Sequence, residues 1–489
     1  MNNFVVQFPL VVEKWQSDIL NKRFEIARKI YNSLVRISLN RYKELIKTKK
    51  YRELIFNIQR DSQGNFLKNK YNKEIFFKIN QMRIDYKLSE YNFQSDVKKF
   101  QKYYKKNIDS ATAQKLGTHL WRAYEKLFFD KGKEIHFKKY DTLNSLESKS
   151  NKAGIRFKNN SIEWIGLKMP IIIDLNNMYE VEAIRNDISY CRIVRKFIRG
   201  KYKFYVQIIF KGTPPLKIDK NTGEIKRKIG KGDVGIDIGT STIAYCSENK
   251  LKILELADKI RDISAKKCRI LRKMDRSKRM TNPNNFKIDG TIKKGAKFNF
   301  SNKYIKLKNT LKEVFRKEAD TRKYQHECLA NEIIALGDKI YVEDMNFKGL
   351  QKKSKKTEKN EKGSFKKKKR FGKSIGNRAP AMLISIIDRK LKSFGREIIK
   401  INTRKAKASQ FNHLTQEYKK KSLSKRWNNI DGYKIQRDLY SSFLIMNINE
   451  DLETYNLKKC SERFDKFLEL HKIEVLRLSG NKNLSSIGI

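Results

Sequence analysis

The sequence predicts a multidomain α/β protein. Three observations carry this: a basic helical region that follows one short strand, a block of short alternating strands, and, beyond a Pro/Gly/Lys-rich linker, an apolar strand bearing one acid that is followed by basic helices and further strands. A chain of 489 residues has room for about two to four domains and at least one substantial core.

Residues 4–12, FVVQFPLVV, read as a strand. From Asn21 to about Tyr51, Ala27, Ile30, Leu34, Ile37, Tyr42 and Leu45 share one helical face, with Lys and Arg on the other. Further helical stretches run to Gly132. Among them KKFQKYYKKN (98–107) interleaves aromatics with lysines, while Trp121 and Tyr124, at helical spacing with Leu116, Leu120 and Leu127, are expected in a core. From His136 to Gly212, GIRFKNNSIEWIG, YEVEAIRN, YCRIVRKFIRG and YKFYVQIIFKG alternate between Asn- and Gly-containing turns, predicting strands of a small antiparallel barrel that strand 4–12 could join. The stretch TPPLKIDKNTGEIKRKIGKG (213–232) marks the main boundary.

Beyond it, Val234, Ile236 and Ile238 alternate with Asp237, which is flanked by Gly235 and Gly239, as in a central strand that presents an acid at a site with open space around it. The hairpin partner TIAYCSE follows, then two basic helices over 254–277 and 301–336, and the short strand of DKIYVEDMNFKGL (338–350) with Glu343 at its end. Residues 351–374 are mostly Lys and read as a mobile basic loop. A helix (APAMLISIIDRKLKSFG), a strand (396–402), a polar stretch and a helix over 432–450 come next, the last with Arg437 and Asp438 in its first turn. A basic helix and a polar tail close the chain.

Lys and Arg number 111 against 53 acids, a formal charge of +58. Such an excess opposes compaction unless a polyanion neutralises it, so nucleic acid is the expected partner and a metabolite enzyme is disfavoured. The five cysteines (Cys191, Cys246, Cys268, Cys328, Cys460) are too far apart for CxxC pairs and odd in number, as expected of reduced thiols in a cytoplasmic protein. The longest apolar runs are strand-sized, so no membrane partner is expected.

Burying a carboxylate without a partner is costly, so a cation is expected beside Asp237. Asp237, Glu343 and Asp438 together match the need of two-metal phosphodiester cleavage for several carboxylates around Mg²⁺ or Mn²⁺, hard ions that prefer oxygen ligands. Taken singly, Asp438 could serve the helix N-terminus and Glu343 could be a strand-end acid beside Asp344. Ser441 and Ser442 would let the last helix lie close against the sheet.

In this order, VGIDIGTSTIAY, IYVEDMNFKGL and QRDLYSSFLIMNI resemble the first, second and third RuvC motifs of the transposon-encoded TnpB proteins and the compact type V CRISPR effectors. Weaker similarity lies in LGTHLWRAYEKLFFDKGKEIHFKKY and LKSFGREIIKINTRKAKASQ, and about two thirds of the chain is loosely covered. The resemblance implies Asp237, Glu343 and Asp438 as metal-binding catalytic acids, Mg²⁺ (or Mn²⁺) as cofactor, and guide RNA and target double-stranded DNA as partners. It implies a prokaryotic cytoplasmic, nucleoid-associated location and leaves a homodimer on one guide RNA open. The implied layout is a β-barrel wedge domain (1–20 and 133–215), an inserted helical recognition lobe (21–132), a linker (216–232) and an RNase H-like, RuvC-type nuclease domain (233–402 and 432–450). A target-nucleic-acid module (403–431) and a C-terminal helix and tail (451–489) complete it.

Two departures stand out. The family's zinc ribbon has two CxxC pairs, whereas 403–431 holds no Cys, so no zinc is expected, and His413 alone cannot make a zinc site. Tyr440-Ser441-Ser442 stands where the family typically shows Asn-Ala-Ala. GIDIGTST also resembles the first phosphate strand of actin-like ATPases and sugar kinases, but no second phosphate loop or adenosine motif follows. A guide-dependent DNA-binding repressor without cleavage and an RNA-independent Mg²⁺ nuclease or transposase remain the alternatives.

Overall fold

A computed structural model describes residues 3–61, 66–129, 132–219, 221–352, 357–358, 361, 371–420, 422 and 425–479. The chain divides into two units, one ending at Leu216 and the other beginning at Lys217. No helix among the described residues is long and apolar enough to cross a membrane.

The first unit runs β1 (Asn3–Pro9), α1 (Lys14–Lys47), α2 (Lys49–Phe56), α3 (Lys70–Asp85), α4 (Glu90–Tyr103), α5 (Ser110–Phe128), β2 (Ser145–Glu147), β3 (Arg156–Lys158), β4 (Ser161–Trp164), β5 (Leu167–Pro170), α6 (Met178–Ile184), β6 (Ile188–Ile198) and β7 (Lys201–Lys211). Phe4, Val6 and Phe8 of β1 join Leu20, Phe24 and Leu34 of α1 and Tyr124 of α5 in one core, with Trp121 packed against its margin. Asp109 caps α5 by accepting from the Thr112 amide at 2.9 Å, and its other oxygen accepts from Trp164 Nε1 at 2.8 Å.

The predicted barrel does not close. One antiparallel sheet has the order β1-β7-β6-β2 and another β3-β4-β5; a bridge between Leu10 and Ile171 links them at one end. Closure needs the outer strands to pair. Here β2 spans only Ser145–Glu147 and pairs with β6, and among the described residues β3 pairs only with β4. The stretch YEVEAIRN, expected as a strand, is helix α6. Glu and Ala favour helix there, and Glu180 bonds back to the Asn177 side chain and the Asp174 amide, both at 3.0 Å, fixing the first turn.

The second unit holds β8 (Asp233–Ile238), β9 (Thr242–Ser247), β10 (Lys250–Glu255), α7 (Ile260–Thr281), α8 (Asn302–Ile334), β11 (Lys339–Glu343), α9 (Phe347–Leu350), α10 (Gly372–Arg378), α11 (Pro380–Lys392), β12 (Ile399–Ile401), α12 (Thr403–Ala406), β13 (Trp427–Ile430), β14 (Tyr433–Gln436), α13 (Arg437–Met446) and α14 (Leu457–Ser479). Its main sheet has the order β10-β9-β8-β11-β12, antiparallel from β10 to β8 and parallel from β8 to β12. Val234, Ile236, Ile238, Ile340 and Val342 pack one face against Ile333 and Ile334 of α8 and Leu383 and Ile387 of α11. Ala244, Cys246, Leu251 and Ile253 pack the other face against α13 and α14.

Two more expectations change here. The helix read from Leu254 starts at Ile260, because Leu251 and Ile253 alternate with Lys250 and Lys252 and β10 turns back onto β9. The helix read from 432 starts at Arg437. Asp431 and Gly432, both at positive φ (51° and 77°), make a two-residue turn that folds β14 onto β13. Most of the basic loop expected at 351–374, and the tail after Ser479, lie outside the described residues.

Candidate active site

Strand β8 presents two different faces. Its isoleucines and Val234 are sealed into one core, while Gly235 and Asp237 look toward α13. Gly235 is not there to leave space beside the acid, as the sequence suggests. A Cβ on it would lie 2.1 Å from the Ser442 carbonyl oxygen and 2.3 Å from the Met446 amide nitrogen. The helix backbone therefore fills the position, and only glycine lets it come so near. Ser441 and Ser442, buried on the helix side, keep the interface thin and turn their hydroxyls onto the Arg437 and Leu439 carbonyls. Gly235 and the two serines thus bring the start of α13 over the carboxyl end of β8.

Glu343 reaches the same place from the neighbouring strand. The parallel register sets Tyr341 beside Gly235 and Val342 beside Ile236, so the next residues along, Glu343 and Asp237, stand together at the strand ends. In an open sheet with parallel strands this end is where sites form. Asp438 enters as the second residue of α13. The first turn of that helix is capped by Gln436, whose Oε1 accepts from the Leu439 amide at 2.8 Å, so Asp438 is free of capping.

The acids feel one another. Asp237 is half-buried, and its carboxyl is held well above the usual range, first by desolvation and then by the charges of Asp438 and Glu343; Arg437 and the Ser441 hydroxyl pull the other way. Burial pushes Glu343 up to about 7. Asp438 is bonded to two guanidiniums: its Oδ1 accepts from Arg437 Nε (3.2 Å) and Nη2 (3.1 Å), and its Oδ2 from Arg426 Nη1 (3.2 Å). The three candidates are therefore brought within electrostatic reach.

The donors suit a hard divalent cation in kind. Two carboxylates whose negative forms are disfavoured where they stand would be relieved by a positive ion. Among the described residues no three Asp, Glu, His or Cys side chains are grouped closely enough to hold one ion, and Asp438 is engaged by guanidiniums instead.

Arg426 is a site residue that the sequence reading does not single out. Nothing local marks it: it lies in a run of basic residues and meets Asp438 only because β13 pairs with β14. His413 also gains a place. It is buried, its Nδ1 lies 2.6 Å from the Tyr440 hydroxyl, and its backbone N–H donates to the same oxygen at 3.1 Å, tying residues around 413 to the helix of Asp438.

No family model and no curated protein matches the chain. Among solved structures it is similar to a Cas12f1–sgRNA–target DNA complex, at 12% identity over 91% of this chain and 99% of that one, with a TM-score of 0.42. It is also similar to a CRISPR–Cas12f ternary complex, at 16% identity over 89% and 82% of the two chains, with a TM-score of 0.25. Overlaps this loose carry no argument, and function has to be read from the residues.

Proposed function

We propose that this protein is an RNA-guided DNA endonuclease with a RuvC-type site of Asp237, Glu343 and Asp438. The observation that supports the reading is that the β8–β11 register and the approach of α13 bring three acids from distant stretches of chain within electrostatic reach, two of them in a protonation-prone state that a cation would relieve. The strand order supports an RNase H-like reading of the second unit: counted from β8, it runs 3-2-1-4-5 with the second strand antiparallel to the first and third.

Asp237, Glu343 and Asp438 would hold Mg²⁺ or Mn²⁺, which when bound supplies an activated water and stabilises the leaving oxygen of a phosphodiester. The chain's own contributions are positional. Gly235 and the two serines set the height of Asp438 over the strand, and the parallel register sets Glu343 beside Asp237. The guide RNA and target DNA follow from the charge and from the three resembling motifs; base pairing would read sequence while the protein reads backbone and a short flanking motif. In the first unit, Tyr91 and Tyr103 of α4 are 79% and 81% exposed, beside Lys98, Lys99 and Lys102, a combination suited to bases and phosphates.

A second reading, guided DNA binding without cleavage, is favoured by the two guanidiniums on Asp438 and the lack of a closed ligand set among the described residues. One experiment separates the readings. The protein is purified after expression with its native flanking DNA, its bound RNA is sequenced, and Mg²⁺-dependent cleavage of a matching target is assayed beside Asp237→Ala. A discrete RNA with cleavage lost in the variant supports the endonuclease, and the same RNA with no cleavage in either supports the silent binder. Heterogeneous RNA removed by salt rejects the guided reading.

A further inference from the structure

We propose that Arg426 is a positioning residue for Asp438, holding its carboxylate by a bond that an incoming divalent cation must displace; the inference rests on the reading of the three acids as the cation-binding set. The geometry begins with the β13–β14 hairpin. Trp427 pairs with Gln436, and one step further the Arg437 amide donates to the Arg426 carbonyl at 2.8 Å. Two arginines are thereby set opposite each other, an arrangement that like charges make unfavourable unless an anion lies between them. Asp438 is that anion, and each arginine takes one of its oxygens.

The two are not equivalent. Arg437 belongs to α13, its side chain is 10% exposed, and it gives Oδ1 two donors from a forked guanidinium. Arg426 comes from outside the helix, is 33% exposed, and gives Oδ2 one donor. Two positive charges on one carboxylate leave one in excess, and the more exposed, singly bonded guanidinium is the one that can leave. Arg437 then fixes the carboxylate to its helix, while Arg426 keeps Oδ2 turned and occupied until a cation takes it. Through Arg426 the segment before β13 sets how readily the site loads.

The test measures Mn²⁺ binding to the full-length protein by electron paramagnetic resonance, without any cleavage readout. Asp237→Asn serves as the baseline, so that ions held by co-purified RNA cancel. Arg426→Gln is expected to bind Mn²⁺ about five- to tenfold more tightly than the parent, the scale of one charge-assisted hydrogen bond in a half-open site. Arg426→Lys, which retains the charge, should stay near the parent. In an Asp438→Asn background, Arg426→Gln should change nothing. Tightening is opposite in sign to what structural damage would do, and amide exchange along α13 verifies that the helix is intact. Unchanged or weaker binding by Arg426→Gln would overturn the proposal. If the parent binds no more Mn²⁺ than Asp237→Asn, the reading of the acids themselves falls, a result distinct from failure of Arg426 alone.

Discussion

Glu147 in the first unit and Glu343 in the second are both strand acids drawn away from water, and they titrate in opposite directions. Burial alone would push each up. At Glu147, hydrogen bonds from His119 (3.1 Å) and Arg192 (2.8 and 2.5 Å) outweigh burial and hold the carboxyl down at about 2. At Glu343 nothing comparable offsets burial, and the carboxyl rises to about 7. Burial therefore does not say what an acid is for. The supply of cationic donors does: Glu147 is paired within its own unit, whereas among the described residues no cationic donor offsets the burial of Glu343.

The comparison can be broken most forcefully at Glu147. Replacement by Ala leaves Arg192 and His119 facing an empty, buried place and should destabilise the first unit by about 3–5 kcal/mol, the usual result of removing one partner of a buried ion pair. Denaturant-dependent amide exchange in β6 and β7 reads this, and a loss below about 1 kcal/mol would make Glu147 an ordinary surface acid.

The matching change in the second unit should have the opposite sign. Glu343 gives up its proton near 4.5 when unfolded and near 7 when folded. Between those values the folded form holds more protons, so without a divalent cation stability falls as pH rises through the window and stays low above it. Glu343→Gln should remove that slope and stabilise the cation-free unit at pH 8 by about 2–3 kcal/mol. Burial holds His413 and His471 down at about 4, and they contribute a rise in stability with pH over an overlapping range. The part due to Glu343 is therefore the difference between parent and variant, and identical profiles would remove the contrast with Glu147.

Cation addition sharpens the same point. Mg²⁺ at a hundred times its dissociation constant should stabilise the parent's second unit by about 2.7 kcal/mol and leave Asp237→Asn unmoved; equal protection of both would place the ion elsewhere. The smallest effect is expected at Tyr440→Phe, which takes the partner from the His413 amide and Nδ1 and should cost about 1–2 kcal/mol, read from exchange in α13.

Much of the second unit is legible in the residues. The alternation in β8 and β11, the hairpin to β9 and the apolar face of α11 all follow from local pattern, and Asp237 feels the charges of the other two acids that the sequence singles out. The Asp431-Gly432 turn is also a local signal, and it opens β14 where the sequence reads a helix over 432–450. In the first unit, Tyr124 sits in the core as its spacing indicates, but α6 takes a helical turn where Tyr179, Val181 and Ala183 alternate with Glu180 and Glu182.

By itself, then, the sequence determined which residues carry charge and chemistry, and where strands and helices must run for their apolar faces to be covered. Tertiary structure decided what those residues meet. It put helix backbone, not open space, over Gly235, placed Arg426 on Asp438, left the first unit's sheets unclosed, and gave Glu147 cationic partners while burial, among the described residues, governs Glu343. The physical reason is range. Periodicity and turn chemistry act over a few neighbouring residues, whereas close backbone approach, strand closure and the state of a carboxylate depend on groups that only the fold brings together.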